Sequence, residues 1–460
     1  MSLRTLNTDK LSGPQLSSTP KRQRTQGELH RSPGTNSNII SNHVSDFPSF
    51  RKHDQIRVCT INFCSLISHD KQLQLHQVIE TYKPDVILGC ETHLKEEINS
   101  NDIFPNEFLH PPPHRKDRAF GEKGGVLIAI HNDIISVEQS SPANCEIVWT
   151  KISHKKGDIM FGAFYRQPTS PIETIEQLEL SMNNLKELNG LNSKHVILGG
   201  DFNLPDVNWR DGSIRRNPKY ASEISEKMLG IMDEYNFTQV VQEPTRHNNI
   251  LDLVFMTHPD LIEGIYVVPG MIDHKAVICD INFKTKPPLN PPRSVYLYKH
   301  ANMRGLQEQL RSSYTSFQAS DPSTKSVEEN WTQFKTILFD TIKKHIPQKT
   351  LNKKRSTPWF NSHIKRLIRQ KQRRYNAARH SNSEQDWRKF KNLRKLIHNE
   401  IRKAHQNYIN NLLDIGDDII DENTKPSITK RFWQYIKAKR KDSSGIPILK
   451  DDGKEITDPK

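Results

Sequence analysis

The run Val196-Ile197-Leu198-Gly199-Gly200-Asp201-Phe202-Asn203 carries an apolar strand through two glycines into a carboxylate and an amide. Residues two apart on a strand share a face, so Asp201 and Asn203 are expected to project together from a sheet edge, an acceptor beside a group that both donates and accepts. The glycines leave room for a substrate or a neighbouring loop to come close. Other apolar strands end in the same way. Asn62 closes Cys59-Thr60-Ile61-Asn62, and Glu91 follows Asp85-Val86-Ile87-Leu88-Gly89-Cys90. Tyr165 and Arg166 end another, a phenol and a guanidinium that both suit a phosphate. Asp252 lies inside Ile250-Leu251-Asp252-Leu253-Val254-Phe255, where an acid is costly unless it is hydrogen-bonded. A histidine is its expected partner, and Asp273-His274 stands just before the run Ala276–Phe283.

These residue types suit hydrolysis of a phosphodiester. That reaction needs a cation on the phosphate oxygens, an activated water in line with the bond, and stabilisation of the departing alkoxide. Carboxylate and amide oxygens suit Mg²⁺. An Asp that orients a His, beside a strand carrying Asp201, fits general-base activation of water.

The elements that must position these groups are legible from residue 55 to 285. Short β-rich runs are expected at Ile56–Phe63, Val86–Thr92, Val126–His131, Ile147–Ile152, Met160–Arg166, His195–Asn203, Ile250–Thr257, Ile265–Val268 and Ala276–Phe283. Helices are expected at Lys71–Tyr82, Pro171–Asn189 and Ala221–Tyr235, with Ser170 capping the second. A doubly wound parallel sheet would need a helix between most strands. Many strands with few helices instead predict two sheets face to face with helices outside.

The chain divides into a polar, basic arm (1–52), this α/β region (53–285), a proline-rich linker (286–296) and a helical basic region (297–460). The whole chain has a formal net charge of +14, and residues 353–405 alone hold 17 Lys and Arg against 3 Asp and Glu. A block of that density suits a phosphate backbone. Trp387, Phe390, Leu393, Ile397, Ile401, Ala404, Tyr408 and Leu412 recur every three or four residues and predict one amphipathic helix with a basic opposite face. The five cysteines have no CxxC spacing and lie in or beside apolar runs, so reduced, buried thiols are expected. With no apolar run of ~18 residues and no leader pattern, the chain is expected to be intracellular. Pro20-Lys21-Arg22-Gln23-Arg24 offers a nuclear-import signal.

In this order the residues resemble the endonuclease/exonuclease/phosphatase superfamily over about half of the chain. In detail the sequence resembles the endonuclease domain of non-LTR, LINE-type retrotransposons of the Jockey/CR1 kind. The motifs are Gly199-Gly200-Asp201-Phe202-Asn203-Leu204-Pro205 with Trp209, Glu91-Thr92-His93-Leu94, Gly124-Gly125-Val126, Tyr165-Arg166-Gln167-Pro168, Glu243-Pro244-Thr245-Arg246 and Ile250-Leu251-Asp252-Leu253-Val254. The resemblance implies an α/β (α+β) fold: a four-layered αββα sandwich of two mainly antiparallel sheets, followed by a helical C-terminal region. It implies Mg²⁺, with Mn²⁺ as an alternative, held by Asn62 and Glu91 with Asp273 close by. His274, oriented by Asp252, would contact the scissile phosphate and help generate hydroxide; Asp201 would handle a proton; Asn203 and Tyr165 would stabilise the phosphorane. Whether Asp201 or His274 is the base is left open. Ile272 departs from the small hydroxyl residue usual before Asp-His, which is expected to loosen the loop.

The region after the linker resembles the connector that precedes the reverse transcriptase in such elements, through Thr357-Pro358-Trp359-Phe360, Arg431-Phe432-Trp433-Gln434-Tyr435-Ile436 and Asp451-Asp452-Gly453-Lys454. No polymerase motif is visible. The expected activity is a metal-dependent DNA endonuclease whose partners are a DNA duplex and, through basic helices 353–405, RNA, with no membrane and no small-molecule cofactor. The alternatives are an abasic-site repair endonuclease and a silent element-derived fragment that binds nucleic acid. A lipid or inositol phosphatase fits less well, for want of a lipid anchor.

Overall fold

The computed structural model describes Phe47 and residues 55–118, 121, 123–153, 157–189, 195–215, 222–283, 293–351 and 357–413, with 432, 433, 435, 436, 450, 451, 454 and 455. The rest of the polar arm, the basic cluster at 20–24 and the proline-rich stretch up to residue 292 lie outside the described residues.

In chain order the elements of the α/β region are β1 (Ile56–Asn62), α1 (His69–Tyr82), β2 (Val86–Cys90), the short α2 (Ser100–Ile103), β3 (His114–Lys116), β4 (Val126–Ile130), β5 (Ser136–Gln139), β6 (Glu146–Ile152), β7 (Ile159–Tyr165), α3 (Glu173–Asn189), β8 (His195–Asp201), a small hairpin β9 (Val207–Asn208) and β10 (Ser213–Ile214), α4 (Ser222–Glu234), β11 (Thr238–Gln239), β12 (Asp252–Met256), β13 (Ile262–Pro269) and β14 (Lys275–Ile281). They build two six-stranded sheets, ordered β13-β14-β1-β2-β4-β3 and β11-β12-β8-β7-β6-β5. Each sheet contains one parallel pair, β1 with β2 and β7 with β8, and is otherwise antiparallel.

Period-2 alternation assigns each strand residue to a layer. Val58, Leu88, Ile128, Phe161, Ile197, Val254 and Val277 meet between the sheets. Their neighbours Cys59, Ile87, Leu127 and Ile278 face outward under Leu75, Val78, Ile79 and Tyr82 of α1. On the far side Trp149, Met160, Leu198 and Phe255 lie under Leu178 and Met182 of α3 and Met228 and Ile231 of α4. Strands covered on both faces read as continuous apolar runs, which is why β1, β2, β4 and β7 are buried at every position. The arrangement is the expected four-layered αββα sandwich. Short edge strands β3, β5 and β11 were not expected. They are polar and two to four residues long, too short to show an alternating pattern.

Beyond the sandwich, β15 (Arg293–Tyr296) pairs with β16 (Gln348–Leu351) around α5 (Met303–Ala319) and α6 (Val327–His345); Arg293–Tyr296 is thus a strand, although the sequence places it in the linker. Two helices follow, α7 (Ser362–Ser381) and α8 (Glu384–Leu413), the latter containing the whole predicted amphipathic stretch. Asn361 caps α7 by accepting from the Ile364 amide (2.9 Å), and Asn382 ends it in the left-handed region. The partner of the apolar stripe, unreadable from sequence, is now evident: Ile397 and Ile401 of α8 pack with Trp359, Phe360, Ile364, Leu367 and Ile368, and this cluster closes on Leu73 of α1. Arg402–Asp70, Lys365–Glu80 and Arg379–Glu243 ion pairs flank it. The hairpin is therefore fastened to the sandwich.

Candidate active site

The ends of β1, β2, β7, β8 and β12 converge with the loop before β14. Register explains the convergence: β8 and β12 pair with Asp201 opposite Asp252, and β7 runs beside β8 with Tyr165 opposite Asp201. Two like-charged carboxylates facing each other across a ladder are unfavourable, so each needs a partner. The Asp201 side chain accepts from Asn62 Nδ2 (3.0 Å) through Oδ2 and from the Asn203 amide (3.2 Å) through Oδ1. His274 donates from Nδ1 to Asp252 Oδ2 (2.9 Å), and the same nitrogen lies 3.9 Å from Asp201 Oδ2. This bond fixes the tautomer; among the described residues nothing is bonded to Nε2.

All three side chains are buried. Burial, then the negative charge of Asp252, raises the Asp201 carboxyl to about 8. Burial disfavours the His274 imidazolium, but the Asp252 hydrogen bond and charge outweigh it and leave the pKa above its ordinary value. The ligand atoms of Asp201, Asp252 and His274 lie within 4.8 Å of one another. Because Nδ1 is already committed to Asp252, the trio is arranged to hold protons.

A second group lies beside it. The Tyr165 hydroxyl bonds to the Glu91 carboxylate, and burial together with that charge raises the phenol well above its usual pKa. The thiol of Cys64 reaches Asn62 Oδ1 (3.3 Å) and Asp273 Oδ1 (3.7 Å). It is pushed up to about 12 by burial and then by Glu91 and Asp273. Arg246 grips Asp273 with two nitrogens (2.9 and 2.8 Å). Burial opposes ionisation of Asp273, yet the Arg246 charge holds its pKa below normal.

Thr245 explains why the Glu243–Arg246 segment matters. Its hydroxyl accepts the amides of Leu251 and Asp252 (3.0 Å each), and its carbonyl accepts from Lys275 (2.8 Å), pinning the strands that carry Asp252 and His274. Gly124 and Gly125 accept from His93 and Thr92 (2.8 and 3.2 Å) and so seat the Glu91 loop; a Cβ on Gly125, at φ 87°, would lie 2.4 Å from Thr92 Oγ1.

Several expectations are corrected. β8 ends at Asp201, because Asn203 adopts φ 50°, so the two side chains do not leave one strand face; Asn203 Nδ2 instead donates to the Arg166 carbonyl (2.8 Å). Arg166 is buried and donates to the carbonyls of Asn203 (3.1 Å) and Ser170 (3.0 Å); it builds the loop. β2 likewise stops at Cys90, since Glu91 adopts φ 50°, and α3 starts at Glu173, leaving Ser170 in the preceding turn. Trp209 is an edge-on packing partner of Phe255. Cys64, half-exposed inside the cluster, departs from the buried-thiol reading; its place two residues after Asn62 was the available signal. Cys64, Ser65, Glu91, His93 and Asn203 all have positive φ, a concentration of backbone strain of about 1–3 kcal/mol per residue of the kind that functional sites hold.

A family model described as "Endonuclease-reverse transcriptase" matches residues 159–278. That span runs from β7 to β14 and takes in Tyr165, Asp201, Asn203, Asp252, Asp273 and His274. Over that span, about a quarter of the chain, the sequence is similar to this family. Among solved structures, the chain is similar to the endonuclease domain of TRAS1, a telomere-specific non-LTR retrotransposon (21% identity, 49% of this chain and 98% of that chain, TM-score 0.37). It is also similar to an AP endonuclease from Leishmania major (14%, 53% and 93%, 0.42) and one from Archaeoglobus fulgidus (14%, 49% and 99%, 0.37). Residues 360–424 match a family model described as "Female sterile protein K10 C-terminal domain". No curated protein matches the chain.

Asn62, Glu91 and Asp273 offer oxygen donors of the kind a hard divalent cation takes. The donors gather at one point: the Cys64 sulfur lies 3.3 Å from Asn62 Oδ1 and 3.7 Å from Asp273 Oδ1, and the Arg246 charge favours the ionised Asp273 carboxylate.

Proposed function

We propose that the protein is a divalent-metal-dependent endonuclease that hydrolyses phosphodiester bonds of duplex DNA and leaves a 3′-hydroxyl, as in retrotransposon target-site cleavage. The observation that supports this most directly is the buried Asp201–His274–Asp252 constellation beside Glu91 and Asp273. Asn62, Glu91 and Asp273 would hold Mg²⁺ or Mn²⁺. Such an ion supplies charge neutralisation at phosphate oxygens and a more acidic water.

The chain's own residues do the rest. Asp252 holds His274 in the tautomer whose Nε2 is available to the phosphate and its attacking water. Asp201, with a carboxyl near pH 8, keeps or yields a proton within the working range, which suits transfer to the departing oxygen. Asn203 retains a second amide hydrogen as a neutral donor to the crowded phosphorane, and Tyr165, whose one hydroxyl hydrogen goes to Glu91 here, would donate there only by leaving Glu91. A DNA substrate and the basic cluster at 20–24 make the nucleus the compartment of this reading.

The test is nicking of supercoiled plasmid with Mg²⁺ by the full chain, by Asp201→Ala and by His274→Ala, with EDTA as control. Relaxation that disappears with either substitution and with EDTA is expected. Retardation of the plasmid without nicking would refute the enzyme and leave a nucleic-acid-binding protein. Faster cleavage of an abasic duplex than of an intact one would transfer the reading to repair.

A further inference from the structure

The basic region is not a free tail. Alongside the sandwich, α1, the loop before His274 and α8 enclose an open groove of about 410 Å³. Lys391, Arg394, Lys395 and His398 line it from α8, at a spacing that places them on one helical face. Lys71 lines it from α1, and Ile272, half-exposed, forms its edge next to Asp273.

Among the described residues no carboxylate lies within ion-pairing distance of Lys71, Lys371, Lys391, Arg394 or Lys395. Lys71 Nζ donates only to the carbonyls of Phe63 (3.2 Å) and Cys64 (3.0 Å). Arg394 donates to the carbonyls of Met271 and Ile272. Lys391 and Lys395 are exposed, while Lys371 of α7 is buried behind them. The one acid at the far end, Asp70, is already paired with Arg402 (2.9 and 2.5 Å).

Cations gathered with no carboxylate in ion-pair range repel one another and favour an external anion. In line with this, burial and then Arg394 push Lys371 down to about 7, and burial, then Arg394 and Lys371, push His398 to about 4. The groove starts one residue from Asp273, and adjacent Cα atoms are about 3.8 Å apart. A DNA strand advances about 3.4 Å of helix axis per nucleotide. The groove therefore opens beside the loop that carries His274, on the path of a strand that continues from there past Ile272.

We propose that this groove holds the sugar-phosphate backbone of the DNA flanking the scissile bond, so that the C-terminal hairpin forms one wall of the substrate cleft. The inference rests on the nuclease reading for the identity of the strand. Base edges play no part in it, because lysines on an open groove contact phosphates and position without specifying.

The test uses the full chain carrying Lys391→Gln together with Lys395→Gln, a change that keeps helix propensity at exposed positions. The control is Lys335→Gln with Lys344→Gln, which removes the same charge from exposed sites on α6 outside the groove. Binding of a short labelled DNA duplex is titrated between about 50 and 200 mM salt, where each lost phosphate contact lowers the salt slope by about 0.9. The groove variant is expected to lose about 1–2 of slope and to raise KM for plasmid nicking more than it lowers kcat; the control keeps the wild-type slope. Equal slopes for both variants would overturn the proposal. So would a loss confined to a single-stranded RNA of the same length, which would make the hairpin an RNA surface. If the wild type binds duplex but never nicks, the nuclease reading fails separately, and the slope alone decides the groove.

Discussion

Replacing Asp252 with Asn removes one charge from the buried trio and nearly nothing else. In the wild type the His274–Asp252 bond is charge-assisted at low pH, a class worth about 1.5–3 kcal/mol. His274 has a folded pKa raised above its ordinary 6.5; its contribution is full below that value and is lost as pH rises through the raised one. Asp201 works in the same direction. Its carboxyl is raised to about 8 from 3.8, so the fold loses stability as pH climbs from about 4 towards 8 and the ionised form must be buried opposite Asp252. Asp252→Asn deletes the bond's charge but also the repulsion at Asp201. At pH 6 the first effect dominates, and a net loss of about 1.5 kcal/mol lowers Tm by about 3–6 °C. As pH rises through the raised His274 value and past about 8 at Asp201, the bond loses its charge while Asp201 gains one opposite residue 252, so by pH 9 the loss shrinks or reverses. The assay is thermal unfolding of the metal-free protein at the two pH values. Parallel curves for wild type and variant, or a larger loss at pH 9, would refute the coupling argued here.

Two further outcomes follow from the same contacts. Gly200→Ala would place a Cβ 1.8 Å from the Phe164 carbonyl at φ 152°, so loss of more than about 4 kcal/mol or failure to fold is expected in a urea titration; a stable variant would contradict the β7–β8 register. Arg394→Ala frees the carbonyls of Met271 and Ile272, a charged-donor loss of about 1.5–3 kcal/mol that should appear as faster amide exchange across residues 271–275 and a lower kcat, in contrast to the KM effect of the groove lysines.

Much of the scaffold was legible because buried strands leave continuous apolar runs, and the αββα layering followed from their number. Asp252 announced a partner by being an acid inside such a run, and His274 lies 2.9 Å away. What escaped has a common cause. Arg166, Arg394 and Thr245 act on backbone carbonyls and amides of distant residues, and such acceptors carry no signature in side-chain order. Asn203 and Glu91 turn out of their strands through left-handed φ, which neither residue type declares. Ile272, the feature expected to loosen the loop before His274, turns out to offer its carbonyl to Arg394, a support supplied from outside the sandwich.

That support sets a timetable for synthesis. Arg394 lies 123 positions downstream of Met271, and at about 5–20 residues per second the ribosome needs about 6–25 s to add such a length. Through that interval a nascent chain has all of Asn62, Glu91, Asp201, Asp252 and His274 translated while the Met271 and Ile272 carbonyls await their guanidinium. Those two hydrogen bonds of the loop before His274 thus form only after the hairpin has emerged and docked.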